Sequence, residues 1–511
     1  MPLAWSKTVK EKLRRLRRGG TPRVLDLFAG CGGMSLGFQR SGCEIVAGLE
    51  SDPARAKTHA ANFHRHLSPE RQQAHGKPRD VTRLSPEECL REVTGEKSSE
   101  IDIIIGGPPC QAYARVGRAK LREIAQQPDA YLRDARGQLY AAYVAYVEAF
   151  KPIAVVMENV PDILNYGGVN IGQLVAESLE AIGYECRYTL LNAACFGVPQ
   201  TRERWYLIGI HKDVDCVPSF PGPERHVVLP IGYRGTRSHA LRWSESAPRH
   251  AELLKEPSAD LPPAVTCEEA LSDLPVISSD EKLRQKRSAR DLKALLPYTS
   301  IPGNSFQELM RNWKGFEAGT GVSAHVIRAL PRDYEIFGRM KPGADYPAAH
   351  RIAHQLLLEK LEVLRKRGQP IVERSARWHD LVKQTVPPYS PDKFPNKWRK
   401  LERDFPSRTL MAHLSHDSYS HIHYDDHQAR TISVREAARL QSFPDGFEFC
   451  GAMNSAFGQI GNAVPPLMAS ALSKRLLEDL GVASRQSASD RAKSFTSNSN
   501  ARRPSMKVSS G

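Results

Sequence analysis

Two glycines and two prolines stand between an apolar run and a thiol: Ile101-Asp102-Ile103-Ile104-Ile105 leads into Gly106-Gly107-Pro108-Pro109-Cys110-Gln111. The run reads as a short buried strand, and a strand stopped so abruptly holds its next side chain on a stiff turn. In open α/β sheets ligands bind beyond the carboxyl ends of the strands, so Cys110 is presented where a thiolate nucleophile would work. The competing reading is a small cysteine that merely packs. A second candidate, Glu158-Asn159, follows the run Ile153-Ala154-Val155-Val156-Met157. A carboxyl there would project into the same crevice as a general acid or base; a helix cap or a solvated acid is the plainer alternative. Gln200-Thr201-Arg202-Glu203-Arg204 alternates two guanidinium groups onto one side of a strand leading into Trp205.

The elements that must position these groups alternate along the first 210 residues. Val24-Leu25-Asp26-Leu27-Phe28 reads as strand, Ala29-Gly30-Cys31-Gly32-Gly33 as a turn opening a helix from Met34 to Arg40, and Glu44 to Leu49 as strand again. The glycines let the backbone pass close to a ligand, and Glu50 stands where such folds accept ribose hydroxyls. Ser35 occupies the place of the third glycine of a dinucleotide fingerprint, so an adenosyl group without a pyrophosphate suits the turn better. Leu139, Tyr143, Tyr146, Val147 and Phe150 share a helical face that ends before Pro152, Gln173 to Ile182 forms a further helix, and strands lie near Tyr188-Leu191 and Trp205-Ile210. Alternation of this kind predicts an α/β fold, a doubly wound and mostly parallel sheet of the Rossmann type.

The chain has 511 residues, 41% hydrophobic and 25% charged, enough for two or three domains. No apolar stretch approaches the roughly 18 residues that span a membrane, and no secretory leader is evident. Nine scattered cysteines without a C-x-x-C pair argue against a disulfide framework or a structural zinc site and for an intracellular, cytoplasmic protein. With 72 Lys+Arg against 57 Asp+Glu, a formal charge of +15 suits a protein that meets polyphosphate. Residues 1–20 form a basic arm that reads as solvated, as a tracker of phosphate, or as a transit peptide. Residues 483–511, rich in Ser, Arg, Lys and Asn, read as a disordered tail.

Taken in order, Asp26-Leu27-Phe28-Ala29-Gly30-Cys31-Gly32-Gly33, Glu50, Asp80, Gly107-Pro108-Pro109-Cys110-Gln111, Glu158-Asn159-Val160, Gln200-x-Arg202-x-Arg204, Arg435-Glu436-Ala437-Ala438-Arg439-Leu440-Gln441-Ser442-Phe443-Pro444-Asp445 and Gln459-Ile460-Gly461-Asn462-Ala463-Val464 resemble the motifs of the DNA cytosine-5 methyltransferases, of the bacterial restriction-modification type. The resemblance runs from residue 24 to about 470. It implies a Rossmann-like S-adenosylmethionine-dependent methyltransferase fold with a separate target-recognition region, in segments 21–211 (catalytic and cofactor-binding), 212–404 (target recognition) and 405–482 (returning to the cofactor site). It further implies that Cys110 attacks carbon 6 of a flipped cytosine, that Glu158 holds or protonates N3, and that Arg204 binds the carbonyl oxygen while Arg202 supports the pocket and a nearby phosphate. Phe28, Gly30 and Gly32 would line S-adenosylmethionine, Glu50 its ribose and Asp80 its adenine, with Pro109, Asn462, Ala463 and Val464 closing the site; no metal is needed. The implied partners are double-stranded DNA, met as a monomer, and a cognate restriction endonuclease.

Two positions depart from the family pattern. Ala112-Tyr113 replaces a Phe-Ser pair after Gln111, leaving Arg115 and Arg118 as candidate phosphate contacts, and Arg79 replaces a glycine before Asp80. The recognition region carries Trp243, Trp313, Trp378 and Trp398, a capping box at Thr266 and Glu269, and a basic amphipathic helix with Leu357, Leu361, Leu364, Lys366 and Arg367. His413, His416, His421, His423 and His427 with Asp417, Asp425 and Asp426 invite a metal reading, which the family does not require. The alternatives are a tRNA cytosine-5 methyltransferase, whose recognition region is short, a catalytically silent DNA-binding protein, at odds with intact Cys110, Glu158, Arg202 and Arg204, and a thiol hydrolase, for which no histidine motif speaks.

Overall fold

The structure is a computed structural model that describes residues 3–95, 100–109, 138–165, 169–229, 249–278, 282 and 290–482. Its centre is a six-stranded sheet of β1 (Arg23–Leu27), β2 (Glu44–Leu49), β3 (Ile103–Gly106), β4 (Ala154–Asn159), β5 (Tyr184–Asn192) and β6 (Glu203–His211), in the order β2-β1-β3-β4-β6-β5. β2, β1, β3 and β4 pair in parallel, while β6 is antiparallel to both its neighbours. The sheet is therefore mostly parallel with one reversed strand, a turn of topology that alternation alone does not reveal.

The central strands are apolar on both faces because both faces are covered. Ile103, Ile105, Ala154 and Val156 join one core, and Ile104, Val155 and Met157 join the other. The helices are α1 (Leu3–Arg17), α2 (Gly33–Arg40), α3 (Pro53–Phe63), α4 (Pro69–His75), α5 (Pro86–Thr94), α6 (Gln138–Phe150) and α7 (Ile171–Ala181) in the first half of the chain. Local chemistry starts them: Asp52 caps α3 through the Ala54 and Arg55 amides with Pro53 in the first turn, and Ser85 and Glu88 form a capping box on α5.

The basic arm is a docked helix, α1, and not a solvated arm. Val9, Leu13 and Leu16 are buried in the core, Arg17 donates to Leu480 O, and Arg15 pairs with the buried Asp102. Lys12 is buried as well, its ammonium donating to the carbonyls of Ile101 (2.6 Å), Phe150 (2.7 Å) and Lys151 (3.2 Å), and burial lowers its pKa to about 8. The basic residues of α1 thus serve packing as much as charge.

The later helices are α8 (Cys267–Leu271), α9 (Ser305–Arg311), α10 (Tyr334–Arg339), α11 (Tyr346–Lys366), α12 (Ala376–Thr385), α13 (Val434–Leu440), α14 (Met453–Asn462) and α15 (Pro466–Asp479). Packing divides the expected recognition region. Val265, Cys267, Phe306, Met310, Trp313 and Phe316 belong to the core under the sheet, whereas Ile336, Phe337, Tyr346, Leu357 and Trp398 form a third cluster with Tyr419 and Ile422. The anticipated amphipathic helix is α11, with Arg367 as its C-cap. α15 folds back on α2: a Cβ on Gly37 would stand 2.4 Å from Ala469 Cβ and 2.6 Å from Pro466 O, so only glycine permits this approach. The tail 483–511 and Trp243 lie outside the described residues.

Candidate active site

β3 and β4 are neighbours in parallel register, Gly106 beside Met157, so their carboxyl ends open into one crevice. At that edge Asn159 Nδ2 donates to Pro108 O at 3.0 Å, tying the turn that leads toward Cys110 to the strand that carries Glu158. Gly107 lies against the Glu158 carboxylate: a Cβ there would be 3.1 Å from Oε2. Cys110 itself, with Gln111, Arg115 and Arg118, lies outside the described residues.

β6 supplies the opposing charge. Its antiparallel register sets Tyr206 beside Glu158, which carries Arg204 past the end of β4, and Arg204 Nε meets Glu158 Oε1 at 3.1 Å. Each side chain is 14% exposed, so the pair is shielded but reachable from the cleft. Burial raises the Glu158 pKa above its ordinary value, although the charges of Arg204 and Arg202 pull the other way. Such a carboxyl can hold a proton or a hydrogen bond at a ligand nitrogen. Arg202 is almost wholly buried, and its guanidinium donates to Leu410 O at 2.7 Å and Gly461 O at 3.2 Å, so it braces two returning segments at the cleft.

The other end of the crevice is built by the turn after β1. Phe28 has φ 59°, a left-handed conformation that costs a non-glycine residue of order 1 kcal/mol and tends to persist where a site needs it. Gly30, at φ 56°, has open space where a Cβ would stand, and its amide donates to Glu50 Oε2 at 2.9 Å. Glu50 Oε1 accepts from the Asp52 amide at 2.8 Å, so the carboxylate is oriented from two sides. Asp80 accepts from the Thr82 amide, the Thr82 hydroxyl and Arg83 Nε; partial burial raises its pKa, but these partners bring it below the ordinary value. Arg79, the departure from the family pattern, is engaged beside the cleft: its amide donates to Glu50 O and its guanidinium to Ala74 O and Lys77 O. Beneath the turn, Ser35 Oγ donates to Asp26 and lies 3.1 Å from His59 Nε2, and burial raises the Asp26 pKa to about 7.

Both ends belong to one cleft of about 980 Å³. Phe28, Gly30, Glu50, Asp80, Pro109, Glu158, Arg202, Arg204 and Asn462 line it. Gly32, Ala463 and Val464 stand next to that lining, packed closely: a Cβ on Gly32 would collide with Phe63 at 2.3 Å and one on Gly33 with Val464 O at 2.1 Å. Sequence reasoning missed Arg55 and the segment Arg408, Thr409, Met411 and Ala412, which also line the cleft. The segment is brought there by Ser407-Arg408 pairing in parallel with Gln200-Thr201, and by the Thr409 hydroxyl donating to Thr201 O at 2.8 Å. No local pattern signals a contact across some two hundred positions. The histidine-rich stretch has other employment: His421 is buried with Nε2 at 3.2 Å from Arg408 O, His423 is buried beside Glu436, and His413 pairs with Asp417.

The family model of the C-5 cytosine-specific DNA methylases matches residues 22–478. A chain of Oceanobacillus iheyensis, M.OihORF3336P, is 41% identical over 463 residues, covering 90% of this chain and 96% of that one. The type II methyltransferase M.AgeI of Thalassovita gelatinovora is 30% identical over 474 residues, covering 89% and 99%. Among solved structures, a prophage-encoded chain of E. coli shares the fold with a TM-score of 0.55 at 21% identity, covering 90% of this chain and 99% of that one. With the match running from the strand before the glycine turn to the last helix, the chain belongs to the C-5 cytosine-specific DNA methylase family and is a DNA (cytosine-5) methyltransferase.

Proposed function

We propose that the enzyme methylates carbon 5 of a cytosine flipped out of a specific double-stranded DNA sequence, through a covalent Cys110 adduct, as the modification partner of a restriction endonuclease. The observation that carries this reading is the shielded Glu158–Arg204 pair, tied through Asn159 to the turn that leads into Cys110. Carbon 5 of cytosine is a poor nucleophile, so electrons must first enter the ring. The Cys110 thiolate forms a bond to carbon 6, and Glu158 holds the proton at N3 that neutralises the charge this attack develops. Arg204 donates to the carbonyl oxygen at carbon 2. Carbon 5, now enamine-like, takes the methyl group; a base removes the carbon 5 proton, and the sulfur–carbon bond breaks to restore the thiolate and the aromatic ring. Because the attack comes from above the ring plane, the target base must leave the stack.

The residues fit S-adenosylmethionine as the methyl donor, which supplies an electrophilic methyl on a sulfonium. The open Cβ position of Gly30 leaves room for close approach, Glu50 offers an oriented carboxylate for ribose hydroxyls, and Asp80 stands at the same end of the cleft. Support for a modification role comes from type II methyltransferases among the relatives, M.AgeI being one. Among the described residues no helix is long and apolar enough to cross a membrane. The test is incubation with labelled S-adenosylmethionine and either duplex DNA or tRNA, together with duplex carrying 5-fluorocytosine at the target. Label in DNA and a denaturation-resistant adduct that Cys110→Ser abolishes are expected. An adduct that survives Cys110→Ser refutes the nucleophile, and label confined to tRNA refutes the substrate.

A further inference from the structure

Five arginines line the cleft among the described residues: Arg55, Arg79, Arg202, Arg204 and Arg408. Four are spoken for. Arg79 braces the end of α4, Arg202 holds the carbonyls of Leu410 and Gly461, Arg204 faces Glu158, and Arg408 has an interaction of its own. Arg55 is different. It stands in the first turn of α3, its backbone amide held by the Asp52 cap, while its guanidinium has no hydrogen-bond or ion-pair partner among the described residues. It is half-buried, and its charge is felt at the Cys31 thiol, which places it over the glycine turn rather than out in solvent. It shares that wall with Gly30 and Glu50. A lone guanidinium beside an acidic wall, half-desolvated, calls for a carboxylate or a phosphate.

S-adenosylmethionine carries one anionic group, the carboxylate of its methionine part, against an ammonium and a sulfonium. The acids Glu50 and Asp80 suit the adenosine part, and no other cation at that end of the described cleft is unengaged. Resting on the cofactor reading above, we infer that Arg55 binds the methionine carboxylate of the methyl donor, and equally of the product S-adenosylhomocysteine. Nothing in the local sequence announces it, since a surface arginine at the start of a helix is usually just solvated.

The test is calorimetric titration, with no turnover, of wild type, Arg55→Gln and Arg55→Lys with two probes: S-adenosylhomocysteine and its analogue lacking only the carboxylate. A charge-assisted bond at a half-exposed position is expected to give roughly a tenfold loss of S-adenosylhomocysteine affinity in Arg55→Gln, with partial recovery in Arg55→Lys. The analogue should bind all three proteins equally. Equal weakening of both probes would make Arg55 a structural residue and overturn the inference, as would unchanged S-adenosylhomocysteine affinity. A loss confined to duplex DNA binding would reassign Arg55 to a phosphate and overturn it too. Failure of wild type to bind either probe would instead sink the cofactor reading on which it rests.

Discussion

Alanine at Gly33 would place a Cβ 2.1 Å from Val464 O and 3.3 Å from Ala463 Cβ, far inside van der Waals contact. Gly33 opens α2, where helix propensity by itself would favour alanine by up to about 1 kcal/mol. The clash opposes this. To restore a carbon–oxygen contact of roughly 3.2 Å the 463–464 backbone must withdraw by about 1 Å, and overpacking of this kind costs about 1–3 kcal/mol. The peptide that must move also follows Asn462 in the cleft wall, and Gln441 Nε2 anchors it at Ala463 O. Gly33→Ala is therefore expected to destabilise the fold by about 1 kcal/mol net and to weaken S-adenosylhomocysteine roughly tenfold. Gly37→Ala is the control: its Cβ would meet Ala469 and Ser470 at 2.4 and 2.5 Å on the same helix pair, one turn farther from the cleft. It should cost similar stability with a smaller effect on binding. Urea unfolding and calorimetric titration measure both quantities. A Gly33→Ala protein as stable as wild type, with unchanged ligand affinity, would refute the claim that the returning segment closes the site through this contact.

Three further outcomes are expected. Glu158→Gln should keep DNA and S-adenosylhomocysteine affinity while single-turnover methylation falls roughly 10²- to 10³-fold, the cost of losing one charge-stabilising group; unchanged rates would remove Glu158 from the chemistry. Arg439→Met should cost about 3 kcal/mol in chemical unfolding, because it leaves buried Asp273 to Arg311 alone and buried Asp445 to the Tyr298 hydroxyl. A loss under 1 kcal/mol would show that those remaining partners suffice. Acid should unfold the protein earlier than its carboxylates alone would require. Burial lowers His59 and His423 to a pKa of about 3 and His75 and His421 to about 4, so below about pH 6.5 the unfolded chain takes up protons that the folded chain refuses. Each such group removes about 1.4 kcal/mol of stability per pH unit until its folded pKa is reached. Asp26 acts in the opposite sense: raised to about 7, it makes the fold less stable as pH climbs from the ordinary carboxylate range to 7. Unfolding free energy that stays flat from pH 6.5 to 5 would contradict the histidine contribution.

Strand ends were legible in the sequence because an apolar run that stops at glycine, proline or a lone acid carries its own signal. Ile103–Gly106, Ala154–Asn159 and Arg23–Leu27 are found within a residue or two of where the pattern puts them, and Glu50, Glu158 and Arg204 follow from them. Hidden from any local reading were contacts between distant segments. Arg202 has the same spacing and type as Arg204, yet the carbonyls of Leu410 and Gly461 claim it. The Arg435-to-Asp445 motif is rich in charge, yet Arg435, Glu436, Arg439 and Asp445 are all buried. Their partners, Ser323 O for Arg435, Arg430 for Glu436 and Asp273 for Arg439, come mostly from more than a hundred residues away. An arginine is scored as solvated by default, and only the fold reveals which ones the interior has taken.

That reassignment bears on what the charge of +15 can do. Among the described residues nine lysines and arginines are buried, among them Lys12, Arg202, Lys400, Arg430, Arg435 and Arg439, against eight buried aspartates and glutamates. The described interior is therefore close to neutral, so burial among the described residues takes up cations and acids in nearly equal number and consumes little of the positive surplus. The two populations of cation must respond differently to substitution. Neutralising an exposed cation such as Lys366 or Arg377 leaves the core untouched and, if that side chain meets DNA, lowers the salt dependence of binding by about one counterion. Neutralising Arg430, bidentate to the buried Glu436, removes no counterion from the binding equilibrium and acts instead through stability. Composition alone cannot assign a given arginine to either population, because the count is the same whether the charge faces a phosphate or a buried carboxylate.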